Sequence, residues 1–151
     1  MTKNLITPRK KTKQIKIKNF VIGNCNIIRI QSMCNIKTSC YRRVLNQMKK
    51  LQKAGCEIIR VSVKDEDDIE GLKKITKSID IPIVADIHFD YKLALKSIES
   101  GISKLRINPG NITDKWKIKE IVNAAKNKNI PIRVGVNLGS LEKPILHKLE
   151  S

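Results

Sequence analysis

Four pairs of polar residues at even spacing carry the chemistry this sequence can do. They are Arg60 and Ser62 in "IIRVSV", Asp86 and His88 in "VADIHFD", Arg106 and Asn108 in "LRINPGN", and Arg133 and Asn137 in "IPIRVGVN". Residues two or four apart on a strand point to the same face, so each pair presents two polar groups together. Three guanidinium groups and two amides converging from different strands describe an anion site, because the Arg fork binds carboxylate or phosphate oxygens bidentately. The competing structural reading pairs each Arg with an acid inside the fold. Only Asp86 and Glu57 lie near enough in the pattern to serve three arginines, so an anionic ligand is favoured. Asp86, His88 and Asp90 alternate behind the apolar run "IPIV", which leaves acid–base work, metal ligation and capping open. Asp90 falls beyond the strand and reads as a cap on "YKLALK", where an acid suits a helix N-terminus. Metal-assisted hydrolysis by Asp86 and His88 is the weakest reading, since one His with flanking Asp residues lacks the usual ligand count.

The elements that must position these groups follow from periodicity. Short Ile- and Val-rich runs at 27–33, 57–63, 81–89, 104–111 and 130–137 predict strands. Between them, "YRRVLNQMKKLQKAG", "DIEGLKKITKSI", "YKLALKSIESG" and "KWKIKEIVNAAKNKN" have helical spacing. Val44, Met48 and Leu51 form one apolar stripe, and Ile69, Leu72, Ile75 and Ile79 another. Strands alternating with helices favour a parallel sheet, because a parallel neighbour needs a long crossover. No G-x-G-x-x-G fingerprint supports an open dinucleotide-binding sheet. Polar residues at the C-terminal end of strand after strand fit a (β/α) barrel, whose ligand groups converge on one mouth. The fold class expected is α/β: a partial TIM-type barrel of about five parallel strands and four helices.

Composition narrows the rest. The 151 residues suit one domain, with a basic segment at 1–20, the barrel portion at 21–143 and a divergent tail at 144–151. Apolar stretches are far shorter than the ~20 residues of a membrane span. The basic start lacks the apolar core of a secretion signal, so a cytoplasmic location is expected. Cys25, Cys34, Cys40 and Cys56 show neither C-x-x-C nor finger spacing and read as reduced thiols. The net charge of +17 invites a basic nucleic-acid-binding module as the alternative function. Against it, lysines are scattered through "MKKLQK", "LKKITK", "DKWKIKE" and "AKNKN", and aromatics for base stacking are 3% of residues.

Five ordered blocks add a specific resemblance: "IQSM" (30–33), "IIRVSV" (58–63), "VADIHFDYKLALK" (84–96), "LRINPGNI" (105–112) and "IPIRVGVNLGSLEK" (130–143). From about Pro8 to Lys143 the chain resembles the N-terminal barrel portion of 4-hydroxy-3-methylbut-2-enyl diphosphate synthase, an oxidoreductase of non-mevalonate isoprenoid biosynthesis. The resemblance implies reductive ring opening of 2-C-methyl-D-erythritol 2,4-cyclodiphosphate. Electrons would come from flavodoxin or ferredoxin through a [4Fe–4S] cluster held by a C-terminal domain, in a homodimer. It implies that Arg60, Arg106 and Arg133, with Asn108, Asn137 and Ser140, hold the diphosphate. Asp86 and His88 would orient those arginines and the substrate hydroxyl.

The departures carry expectations too. Where the family reads close to "QSMTNT.T.D", this chain has "QSMCNIKTSC", with Cys34, Ile36 and Cys40 in place of two hydroxyls and an acid. After "GSLEK" the text becomes "PILHKLES" and stops, short of the ~250 residues of an eight-stranded barrel. The last barrel strands and the cluster domain are therefore expected to be missing. No cluster is expected to bind this chain, no catalytic residue is assignable in it, and the chain alone is expected to be inactive.

Overall fold

Runs of β-branched residues lie side by side because each can bury both faces, one under helices and one toward an interior. The computed structural model describes residues 10–24, 27–112 and 114–141, so Cys25 and the expected tail at 144–151 lie outside the described residues. The elements in order are β1 (Ile15–Ile17), β2 (Phe20–Ile22), β3 (Gln31–Met33), α1 (Tyr41–Lys53), β4 (Ile58–Ser62), α2 (Glu66–Ser78), β5 (Ile83–Ile87), α3 (Tyr91–Glu99), β6 (Lys104–Ile107), α4 (Lys115–Asn127) and β7 (Ile132–Val134). Short 3₁₀ turns at Pro109–Asn111 and Leu138–Ser140 follow β6 and β7.

Five strands form one parallel sheet in the order β3-β4-β5-β6-β7, the order of the chain, with a helix in each of the four crossovers. This is the expected α/β, partial-barrel architecture. Among the described residues β3 and β7 each have one strand neighbour, so both edges of the sheet are open. The outward face packs on the helices: Ile59, Val61, Ile83, Ala85, Ile87, Leu105 and Ile107 meet Val44, Met48, Ile69, Leu72, Ile75, Ile98 and Ile121. Each large aliphatic side chain so buried contributes roughly 1.5–3 kcal/mol. Two helix starts are capped as their acids suggest. Asp65 accepts the Asp68 N–H at the head of α2, and Asp90 accepts the Lys92 N–H at 2.8 Å at the head of α3.

The strands are shorter than their apolar runs. β3 begins at Gln31 rather than 27, because its partner β4 begins only at Ile58, and just before it the Glu57 N–H meets the Ile30 carbonyl at 2.9 Å. Ile27, Ile28 and Ile30 are left exposed. β5 ends at Ile87, β6 at Ile107 and β7 at Val134, so His88, Asn108 and Asn137 sit on the loops just past their strands.

The antiparallel hairpin β1–β2 begins within the segment 1–20 expected only as a basic lead and ends just past it, at Ile22. Ile17, fully buried, packs with Ile58 and Val84 on the inner face of the sheet, and Ile22 joins them. Lys18 fixes the hairpin through a 3.2 Å ion pair to Asp80 at the end of the α2 segment. The hairpin thus closes the N-terminal end of the strands and leaves their C-terminal end as the mouth.

Candidate functional site

Register decides what the inner face presents. Ser62, Asp86, Arg106 and Arg133 pair in sequence across β4, β5, β6 and β7, forming one row. The next row toward the hairpin is Met33, Arg60, Val84 and Lys104. Side chains in a row share a face, since alternate residues of a strand point to opposite sides. Among these strand residues four cations face one carboxylate.

That carboxylate, on Asp86, is 2% exposed and is gripped from both sides. Arg106 Nη1 donates to its Oδ1 at 2.9 Å, and Arg60 Nε lies 3.2 Å from its Oδ2. Arg60 Nε also reaches the Met33 sulfur at 3.2 Å. The Arg106 guanidinium lies close against the backbone just past β7: a Cβ on Gly135 would be 2.8 Å from Nη2 and 2.9 Å from Nε. His88 Nε2 stands 3.7 Å from Asp86 Oδ1, with its ring 43% exposed. Pairing of arginines with an acid inside the fold is thus partly realised, since Asp86 serves two of them. Glu57 serves neither, being taken by Arg29 at 2.6 Å and by the Ile30 N–H at 2.9 Å. Those two contacts, the backbone one first, hold the Glu57 carboxyl below its usual range.

No carboxylate pairs with Arg133 among the described residues. It lines a separate hollow of about 420 Å³ toward the hairpin, together with Lys104, Arg29 and Ile58. Burial, and then the charge of Arg133, push the Lys104 ammonium below the usual lysine value. Asn108 is buried, and its side-chain oxygen accepts the Gly110 N–H at 3.1 Å, shaping the turn after β6. Ser140 Oγ accepts the Asn137 N–H at 3.1 Å and donates to the Asn137 carbonyl at 3.0 Å, closing the turn after β7. Arg60, Asp86, Arg106 and His88 are therefore brought together. Arg133 adjoins them in register but opens elsewhere, while Asn108, Asn137 and Ser140 stand on the neighbouring turns.

A cleft of about 870 Å³ lies over the mouth, walled by Met33 at the end of β3 and residues 34–38 after it, by Ser62 at the end of β4 with Val63 and Lys64 after it, and by His88, Phe89 and Asp90 after β5. Phe89, 72% exposed, stands at its rim. Lys104, Lys64 and Phe89 were not among the residues singled out from sequence. Lys104 could have been, since it precedes Arg106 by two and so shares its face. The mouth-wall residues carry no comparable signal, because their position depends on loop packing.

The family model described as the GcpE TIM-barrel domain matches residues 12–151. The chain belongs to the GcpE family. Among curated GcpE relatives, the 4-hydroxy-3-methylbut-2-en-1-yl diphosphate synthase (flavodoxin) of Caldanaerobacter subterraneus subsp. tengcongensis is 55% identical over 144 residues, covering 95% of this chain and 41% of the relative. The enzyme of that name from Bacillus cytotoxicus is 53% identical over 145 residues, covering 96% and 39%. The chain thus spans about two fifths of the length of the GcpE relatives it matches, and these are the enzymes its motifs resemble. The nucleic-acid alternative draws no support from them. Solved structures of dihydropteroate synthase share the fold alone. The Yersinia pestis protein superposes with a TM-score of 0.63 at 9% identity over 91% of this chain and 52% of its own. The Vibrio fischeri protein gives 0.61 at 13% identity over 82% and 50%. No helix among the described residues is long and apolar enough to cross a membrane.

Proposed function

We propose that this chain is the substrate-binding part of a 4-hydroxy-3-methylbut-2-enyl diphosphate synthase, and that its inner wall and mouth bind the diphosphate of 2-C-methyl-D-erythritol 2,4-cyclodiphosphate. The observation that carries this is the charge imbalance of the inner face. Arg60, Lys104, Arg106 and Arg133 stand against Asp86 alone. A carboxylate that orients two guanidinium groups fixes their forks without neutralising them, and leaves their remaining N–H donors for an anion. Arg60 and Arg106 would take phosphoryl oxygens from below, and Arg133 would swing to the same anion from the adjoining row position. Asn108, Asn137 and Ser140 would border it from the turns, and His88, at the rim and half exposed, would meet the substrate hydroxyl. Positioning of this kind supplies a large share of a barrier reduction without any protein group reacting.

In this proposal the cluster chemistry is assigned outside the described residues. A [4Fe–4S] centre is held by cysteine thiolates, and no group of three or more His, Cys, Asp and Glu side chains among the described residues could hold a metal. Cys34 and Cys56 are buried and Cys40 is exposed. Burial, with Cys56 adding to it, raises the Cys34 thiol to about 11, the opposite of what a ligating thiolate needs. The cluster, its electron donor (flavodoxin by the relatives' names) and the homodimer belong in this proposal to the complete enzyme.

Calorimetric titration with the cyclic diphosphate, and with inorganic pyrophosphate as a minimal probe, tests the reading. Saturable binding that Arg106→Ala weakens at least tenfold is the expected result. No binding of either compound to the folded chain would overturn it. Affinity for unrelated nucleic acids that falls steeply with salt would favour the basic-module alternative instead.

A further inference from the structure

The loop between β3 and α1 walls the mouth cleft with residues 34–38, yet the helix after it has no cap of its own. Cys40 occupies the N-cap position of α1 with φ −78° and ψ 53°, makes no side-chain cap hydrogen bond, and is followed by no acid in the first turn. The loop is held from α2 instead. Asp68, 1% exposed, accepts the Ser39 N–H on Oδ1 at 2.8 Å and the Lys64 N–H on Oδ2 at 3.1 Å. Beside it the Thr38 hydroxyl donates to the Ser62 carbonyl at 2.6 Å, and Lys37 reaches Asp65 at 2.8 Å. The loop can come this close because residue 71 is glycine. A Cβ there would lie 2.2 Å from the Thr38 carbonyl oxygen and 2.8 Å from the Ser39 Cα.

A buried carboxylate is costly unless both oxygens are hydrogen-bonded. Here the two donors come from two different loops, the one after β3 and the one after β4. The charge is therefore accommodated only while those loops stand together over the strand ends. Charge-assisted bonds of this kind are about twice as strong as neutral ones, so Asp68 couples the wall of the cleft to the head of α2.

We propose that Asp68 is a positioning residue of the mouth: its buried carboxylate holds the β3–α1 loop as a fixed wall of the cleft, in place of the cap that Cys40 does not supply. That this wall faces substrate rests on the function proposed above; that Asp68 holds it does not.

Cys34 reports on the wall directly, since it lies within the loop, lines the cleft and is 5% exposed. Cys56, buried two residues before β4 with its thiol directed at the Ile58 carbonyl at 3.1 Å, is the internal control. The experiment measures iodoacetamide labelling of each cysteine by mass spectrometry across pH, in the chain and its variants. In the parent chain Cys34 should label slowly, with a midpoint near 11. Asp68→Ala should speed Cys34 at least tenfold and move its midpoint down toward an ordinary thiol, leaving Cys56 unchanged. Adding Cys40→Asp, which supplies α1 with a good N-cap, should return Cys34 toward the parent rate. Unchanged Cys34 labelling in Asp68→Ala, or no rescue by Cys40→Asp, overturns the proposal. If both cysteines accelerate together, Asp68→Asn decides, because it keeps the shape and one acceptor oxygen: acceleration of Cys34 alone supports the proposal, and of both again overturns it.

Pyrophosphate affinity measured on the same proteins separates the two readings. Absent binding to the parent chain refutes the function and leaves labelling to judge Asp68. Binding that weakens several-fold in Asp68→Ala and returns with Cys40→Asp supports both. Unchanged affinity in a variant whose Cys34 has loosened overturns the positioning role.

Discussion

Arg106 and Asp86 face each other across neighbouring strands with Nη1 2.9 Å from Oδ1, and Asp86 is the one carboxylate among the strand residues on that face. Its side chain is 2% exposed while that of Arg106 is 19% exposed, so the acid is the more deeply committed partner. Removing the acid strands two guanidinium groups at once, whereas removing Arg106 leaves Asp86 its contact with Arg60. Asp86→Ala is therefore expected to lower stability by about 3 kcal/mol, the low end for breaking a buried pair. Arg106→Met should cost less than half of that. Urea unfolding of the three proteins measures this, and equal losses would show that Asp86 does not bridge the pair.

Ligand affinity should follow charge geometry as well as charge. Arg106→Lys keeps the positive charge but replaces the planar fork with a point charge. It should weaken pyrophosphate binding by roughly 2 kcal/mol, near the value of a charge-assisted hydrogen bond, and Arg106→Ala by at least as much. A lysine variant that binds as tightly as the parent would reduce the arginine wall to a diffuse positive field.

Two groups give stability opposite slopes in alkali. The Cys34 thiol is raised by burial from 9.0 to about 11, so the folded chain keeps its proton where the unfolded chain has lost it. Its contribution is full below pH 9 and is lost as pH rises through 11, on the order of 2 kcal/mol in all. Lys104 is depressed by burial, so the unfolded chain holds the extra proton. Its penalty is full at neutral pH and lifts as pH rises toward the ordinary lysine value. Cys34→Ala should flatten the alkaline loss seen in chemical unfolding, and Lys104→Met should stabilise the chain at pH 7. Reversed signs would mean that neither side chain is buried as described.

How much of this was legible beforehand depended on whether local spacing or distant packing decides it. Asp86 and Arg106 were readable because strand periodicity fixes facing, and their row across the sheet follows from the order of the strands. Lys104 obeys the same rule, but one lysine among so many carries little signal. The β1–β2 hairpin was illegible in "IKIKNFVI", since only Ile17 is buried in β1 and its partners Ile58 and Val84 lie 41 and 67 residues away. Asn108 reads as a ligand group from its even spacing after Arg106, and Ser140 from the family resemblance alone. Their hydrogen bonds to Gly110 and Asn137 are turn geometry, which strand spacing does not encode.

Reconstitution with iron and sulfide separates the barrel wall from redox chemistry. Of the described thiols two are buried and the third, Cys40, is alone at the surface. Anaerobic incubation of the chain should therefore give no absorbance of a [4Fe–4S] centre and no reduced product. The same incubation should leave pyrophosphate binding intact. Appearance of the cluster spectrum together with product would transfer the redox role to this chain and refute the division proposed here.

Gly135 offers the sharpest test of the arginine wall, because the three atoms nearest a Cβ there all belong to Arg106. A methyl group at this position would sit 2.8 Å from Nη2 and 2.9 Å from Nε of Arg106, closer than real Cβ contacts come, and 3.2 Å from Cζ. The guanidinium is the far end of a flexible side chain, so it can yield without the backbone moving. The cost in stability should stay near 1 kcal/mol, the level of one lost hydrogen bond. Yielding, however, means leaving Asp86 Oδ1, and the fork then no longer points where Asp86 holds it. Gly135→Ala is thus expected to fold almost as well as the parent and to lose pyrophosphate affinity nearly as far as Arg106→Ala, and the double variant should be no worse than Arg106→Ala alone. Additive losses in the double variant would show that Gly135 acts on the site by some route other than Arg106.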